Sequence, residues 1–293
     1  MMDAKITSLI KMLQVGEITE YSVYIRIAKY IKDKTNRDTL LKIAEEEKKH
    51  YNIWKKYTNV DLKPSKLKVF FFTFLARVFG YTFSIKQMER SLNKVHSTYQ
   101  SDNEINKYVP EIKTIEQEEF VHENKLINLI DEEKLHYVGS MVLGLNDALV
   151  EFTGALAGYS FSMQNNKLIS LAGLITGISA TLSMAASEFL SSRSDGEEDS
   201  AKSAAYTGVA YLITVALLIA PYLLLPSNMY GAALVIMLLV ALVIIAAFNY
   251  YISVAKDLSF KKRFIEMSGI SLSVAAISFI IGLLVKKFLG IEV

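Results

Sequence analysis

The sequence predicts an all-α protein in two parts: a charged four-helix bundle over residues 1–135 and a five-helix transmembrane domain over 136–293. Three observations lead there. Charge is segregated, with 43 of the 62 Lys, Arg, Asp and Glu residues in the first 135 positions. The second part holds three uncharged windows, 168–187, 203–255 and 267–285, of 20, 53 and 19 residues. About 20 apolar residues carry a helix across the hydrocarbon of a bilayer. The first part has a single proline before residue 110, Pro64, and its apolar residues recur at helical spacing, as in Ile18, Tyr21, Val23, Tyr24, Ile27 and Ala28.

In chain order, four main helices are expected near 3–33, 38–57, 80–99 and 103–132. Breaks fall at Lys32–Arg37, Asn59–Lys66 and Ser101–Asn103, with Asp38 and Asp102 as candidate N-caps. Pro110 should kink the fourth helix near its start. The connecting segment Lys68–Phe83 carries seven aromatic residues with Arg77 as its only internal charge. It reads either as an interfacial helix against a bilayer or a partner, or as a buried crossover of the bundle. The first span, 138–160, is interrupted only by Asp147 and Glu151, and 168–187 is the second. The 53-residue window divides into two spans at Leu225–Asn228, where Pro226 and Asn228 favour a turn; 267–285 is the fifth. Arg193 and Lys202 follow span two, and Lys256, Lys261, Lys262 and Arg263 follow span four. Only Lys167, Lys286 and Lys287 face the other way. The positive-inside bias therefore places the front domain in the cytoplasm, the C-terminus outside and the protein in the cell membrane.

Composition excludes several classes. With no cysteine there is no disulfide scaffold, iron–sulfur cluster or thiolate zinc site. A net charge of +2 without a basic stripe argues against a nucleic-acid partner. The N-terminal residues hold acids and no long apolar run, unlike a cleaved signal peptide.

The front half carries two Glu-x-x-His motifs, Glu47–His50 and Glu119–His122, each placing a carboxylate and an imidazole one turn apart on a helix face. Glu17 lies 30 residues before Glu47, and Glu89 lies 30 before Glu119, so the set repeats with an offset of 72. In an antiparallel hairpin, residues equidistant from the turn face each other. The midpoints, 32 and 104, fall beside the expected turns, which sets each Glu opposite its Glu-x-x-His pair. Four carboxylates and two imidazoles at one level suit two iron or manganese ions. A lone Glu-x-x-His on a charged helix is usually a solvated face; two in matched register are not. Glu20, Glu45, Glu46, Glu116, Glu118 and Glu123 read as solvated or supporting residues. Tyr24 and His96, each seven residues after its hairpin's first glutamate, are placed either to hydrogen-bond ligands or simply to pack.

In the back half, Asp147 and Glu151 lie one turn apart in span one, and Glu188 closes span two with Met184 one turn before it. Ionisable groups inside a bilayer are costly and usually line a polar path. Carboxylates bind hard cations and exchange protons, while a thioether favours iron and heavier metals over calcium. The plainer alternative sets Glu188 at the headgroup boundary and lets Met184 pack.

Residues 5–132, with Glu17 in EITEYSVYIRIA, resemble the rubrerythrin/ferritin-like di-iron domain. That resemblance implies iron as a dinuclear cofactor. Two departures qualify it: Leu92 stands where a further glutamate is common, and the absence of cysteine forbids a rubredoxin module. Residues 138–290 resemble the vacuolar iron transporter family through VLGLNDALV at 142–150 and SMAASEFLSSRS at 183–194. This second resemblance implies a homodimer that moves Fe2+ out of the cytosol against H+, with Asp147 and Met184 along the metal path. Glu188 matches the acid of the family's second-span motif. Eukaryotic members insert a Glu-rich module after span two. Here that loop is short, SDGEEDSAKS at 194–203, and the combination resembles the membrane-bound ferritin type. The expected function is a proton-coupled iron(II) or manganese exporter whose cytoplasmic domain captures or senses the metal. The competing expectation is a membrane-anchored ferroxidase or peroxidase.

Overall fold

The structure is a computed structural model that describes residues 4–100, 105–129, 137–197 and 199–289. The chain divides into two compact units, Met1–Glu132 and Glu133–Val293. Every regular element among the described residues is helical.

The front unit begins with α1 (Ala4–Ala28) and α2 (Lys34–Thr58), packed on one another through a short turn. That turn lies a few residues earlier than the sequence suggested, and the reason is the cap. Asp33, not Asp38, stands at the N-terminus of α2, and its carboxylate accepts the backbone N–H of Asn36 at 2.7 Å. Asp38 instead lies within α2. Asn59, in a left-handed conformation (φ 52°), ends α2. The connecting segment contains α3 (Lys66–Phe79), which packs on α1 and on α4 (Tyr81–Gln100). Val69, Phe72 and Leu75 form its buried face, whereas Leu67, Phe70, Phe71, Phe74 and Val78 remain exposed. Pro110 breaks the expected fourth helix outright rather than kinking it, leaving α5 (Ile105–Tyr108) and α6 (Ile112–Leu129). α6 packs on α2. Ile10, Leu13, Trp54, Ile105, Val109 and Ile115 share one apolar core at the end of this unit. Asp102 lies outside the described residues.

Four helices of the second unit are long and apolar enough to cross a membrane: α9 (Asn166–Ser194), α10 (Ser200–Leu224), α11 (Tyr230–Ala255) and α12, whose spanning part is Phe260–Val285 of Phe260–Leu289. The chain is a multi-pass membrane protein. The expected first span is helical but built in three consecutive pieces, α7 (Val138–Asp147), a π-turn (Ala148–Phe152) and α8 (Thr153–Met163). A π-turn widens the backbone and displaces a carbonyl from the regular ladder. Here the Ser271 hydroxyl of α12 donates to the Leu149 carbonyl at 2.5 Å, so the displaced group is satisfied by a neighbouring helix. α9 packs along α10, α7 against α10, and α12 against α8.

Small residues permit these close approaches. A Cβ on Gly144 would stand 2.6 Å from the Thr207 carbonyl oxygen, so α7 meets α10 nearly backbone to backbone. Thr207 also donates to the Ser140 carbonyl at 2.9 Å, fixing the register of the same contact. Phe152, Leu156, Tyr211, Val215, Ile219 and Met237 fill the core between these helices.

Candidate functional site

In the front unit, α1, α2 and α6 bring Glu17, Glu47, His50 and Glu119 to one point. One potential ligand atom from each lies within 4.8 Å of all the others. His50 is central: its Nδ1 stands 2.9 Å from Glu119 Oε1, 3.3 Å from Glu47 Oε2 and 3.7 Å from Glu17 Oε2. A single ring N–H cannot serve three carboxylates. Glu17 Oε2 and Glu119 Oε1 are in fact buried without a hydrogen-bond partner, as is His122 Nδ1. Orphaned donor atoms converging on one point are costly unless a further group answers them. An iron or manganese ion matches that donor set.

The two other predicted ligands lie beside the quartet rather than within it. The His122 ring stacks on His50 with centroids 5.7 Å apart, and its Nδ1 is 3.3 Å from Glu47 Oε1. Glu89, on α4, accepts a hydrogen bond from the Tyr24 hydroxyl. Tyr24 thus touches a predicted ligand; the His96 side chain lies outside those described. The other oxygen of Glu17 accepts the indole N–H of Trp54 at 2.9 Å, which fixes that carboxylate's orientation.

The charge balance follows from this crowding. Burial pushes the Glu17 carboxyl up to about 7, with the nearby His50 imidazole opposing the shift and the Glu47 charge adding to it. Burial alone would lower His50, but the close approach of the Glu119, Glu17 and Glu47 carboxylates outweighs it and holds the imidazole far above its usual value. His122 is raised for the same reason, with Glu47 as its chief partner.

Three residues that the sequence reading set among solvated or supporting acids take part. Glu46 Oε2 contacts His122 Nε2 at 2.5 Å, and Glu118 Oε2 contacts His50 Nε2 at 2.8 Å. Each histidine is therefore held from behind by the acid preceding the other helix's Glu-x-x-His pair, which leaves both Nδ1 atoms facing inward. The signal was present as a repeated Glu-Glu-x-x-His, in EEKKH and EEFVH. Glu20, one turn after Glu17, is buried. Desolvation raises its carboxyl well above the usual range, and the charges of Glu47, Glu17, Glu89 and Glu119 raise it further. With Glu17, Met88 and Ser91 it lines a cavity of about 110 Å3. Glu45 and Glu116 are exposed, as expected.

In the second unit, Asp147 ends α7 and Glu151 lies in the π-turn, close enough for their charges to interact. Asp147 is half-buried and Glu151 is exposed at the surface of the single chain. Glu188 on α9 is buried; its Oε1 accepts the Ser140 hydroxyl of α7 at 2.6 Å and lies 3.4 Å from that of Ser192. Met184, half-buried, packs against the apolar core of the unit. Tyr211 on α10 was not anticipated. It is fully buried beside Ala148, Leu149 and Phe152 of the π-turn, its hydroxyl lacks a partner, and it lies within the fields of Glu151 and Asp147.

Residues 138–199 match the model of the VIT family, a stretch that contains Asp147, Glu151, Met184 and Glu188. No curated protein and no solved structure matches the chain.

Proposed function

We propose that the chain is a proton-coupled exporter of iron(II) or manganese, with a cytoplasmic metal-binding domain of the rubrerythrin/ferritin type that captures or senses the ion. The observation that carries this reading is the coincidence of the VIT-family match with a pair of carboxylates in an apolar helical run. A carboxylate in hydrocarbon needs a counter-charge. At Asp147 and Glu151 a divalent ion and a proton can take turns in that role, which links metal movement to proton movement. Glu188, nearer the cytoplasmic end, serves entry, and Met184 supplies a softer ligand. Exposure of Glu151 on the single chain supports a homodimer, since a second copy covering that face would remove the acid from lipid. The segment 138–163 then acts as a fifth span.

In the front unit, Glu17, Glu47, His50, Glu89, Glu119 and His122 would hold a dinuclear iron or manganese centre, which supplies redox chemistry or storage when bound. Glu46 and Glu118 orient the two imidazoles, and Glu20 holds a proton while ligand charge is uncompensated.

The test is ferrous flux in proteoliposomes with an imposed proton gradient. Asp147→Asn should abolish flux while the protein still inserts. Met184→Leu should slow iron several-fold at unchanged stability. Full activity in Asp147→Asn, or rates indifferent to the gradient, would defeat the proposal. A second reading, a membrane-anchored ferroxidase or peroxidase, is favoured by the concentration of the front donors within a compact unit of its own. Oxygen or peroxide consumption without metal flux would select it.

A further inference from the structure

The metal chemistry leaves α3 without a role, yet it carries a conspicuous surface. Leu67, Phe70, Phe71, Phe74 and Val78 recur at i, i+3/i+4, i+7 and i+11 and are therefore on one face of the helix. Leu67 is 78% exposed, Phe70 68%, Phe71 50%, Phe74 51% and Val78 50%. The opposite face, Val69, Phe72 and Leu75, is committed to the core of the front unit. α3 is thus apolar on two sides, only one of which the unit itself uses. Phe70 and Phe74 stack with centroids 6.4 Å apart, giving a continuous aromatic ridge rather than scattered rings. Contiguous exposed apolar surface of this kind marks an interaction site.

Charge identifies the occupant. Between Asp61 and Glu89 there are 27 residues without an acid, and they include five cations: Lys63, Lys66, Lys68, Arg77 and Lys86. Lys66 and Lys68 flank the N-terminal end of the ridge, and the Arg77 guanidinium packs over the exposed Tyr30 ring, 4.5 Å from its centroid. Phenylalanines on one side with lysines and arginine at the margins are what an anionic lipid surface accepts: rings enter the acyl boundary and cations meet phosphates. A second copy of this ridge would instead bring like charges together. The chain already crosses a bilayer through four helices. Covalent attachment raises the local concentration of lipid surface, so even a short helix can dock.

We propose that the exposed face of α3 is an in-plane docking surface for the anionic leaflet of the bilayer that the second unit spans. The lipid is recognised through its negative headgroups, and the front unit is held at the membrane by this contact as well as by its linker. This inference needs neither metal binding nor transport.

The test exploits the absence of cysteine. Single variants Phe70→Cys, Phe74→Cys and, as a control on the exposed surface of α2, Lys49→Cys are made in the full chain and labelled with an environment-sensitive fluorophore. Each is reconstituted in nanodiscs of phosphatidylcholine with or without phosphatidylglycerol. Labels at 70 and 74 should be quenched at least twofold by doxyl lipid and little by iodide, with the reverse at 49, and lipid quenching should fall when phosphatidylglycerol is omitted. Iodide quenching at 70 and 74 equal to that at 49 would overturn the proposal. So would protection from both quenchers accompanied by energy transfer between copies, which would assign the face to a second chain. Equal lipid quenching with and without phosphatidylglycerol would overturn its anionic selectivity. Circular dichroism and melting of each labelled variant establish that the fold is intact.

Discussion

At the scale of single residues, the front site is a balance between two raised imidazoles and too many carboxylates, and that balance has a definite pH dependence. Glu17 is held at about 7 in the folded protein against an ordinary value of 4.5. Between those values the unfolded chain releases a proton that the folded chain retains, so folding becomes less favourable as pH rises through this window. His50, also raised, acts in the same direction: its stabilisation is complete below its ordinary value of 6.5 and is lost as pH climbs through the folded value. The metal-free protein should therefore have its front-unit melting midpoint several degrees higher at pH 5 than at pH 7.5, measured by calorimetry with chelator present. Divalent metal should reverse the order, because its ligands must be deprotonated to bind. The reciprocal acids give a second expectation. Glu46→Gln combined with Glu118→Gln leaves every inward-facing donor in place but removes the charge behind each imidazole. Affinity for manganese should fall about 10- to 100-fold, read by calorimetric titration.

Among the helices, the π-turn and the glycine contacts carry most of the structural meaning of the second unit. Ser271→Ala leaves the Leu149 carbonyl unanswered in an apolar surrounding and should cost about 1 kcal/mol, seen as a lower melting temperature in detergent. Gly144→Ala drives a methyl into the Thr207 carbonyl and should separate α7 from α10, with a larger loss of stability and of metal flux together. How far these features could be read beforehand depends on periodicity. Uncharged runs and the matched 30-residue spacings were visible as pattern, and they point to the spans and to the Glu17, Glu47, His50 and Glu119 cluster. The π-turn was not visible, since it depends on a hydroxyl 122 residues away answering a carbonyl. The N-cap at Asp33 rather than Asp38 was decided by local hydrogen bonding that two equally suitable aspartates leave open. Whether Glu20 is solvated or supporting stays open in the sequence, because one more glutamate on a charged helix looks exposed until the neighbouring helices close over it.

For the molecule as a whole, the division into two units predicts separable behaviour. Melting in detergent should show two transitions, the earlier metal-dependent and the later indifferent to metal; a single metal-sensitive transition would mean that the units unfold as one. The chain contains a single tryptophan, Trp54, and its indole N–H is bonded to Glu17. Intrinsic emission excited at the red edge of the near-ultraviolet band therefore reports from the rim of the candidate centre alone, since the membrane half contributes no indole. Occupancy of the front site becomes an optical quantity that can be followed in an unmodified protein, in real time, alongside the proteoliposome flux assay that tests the proposed transport.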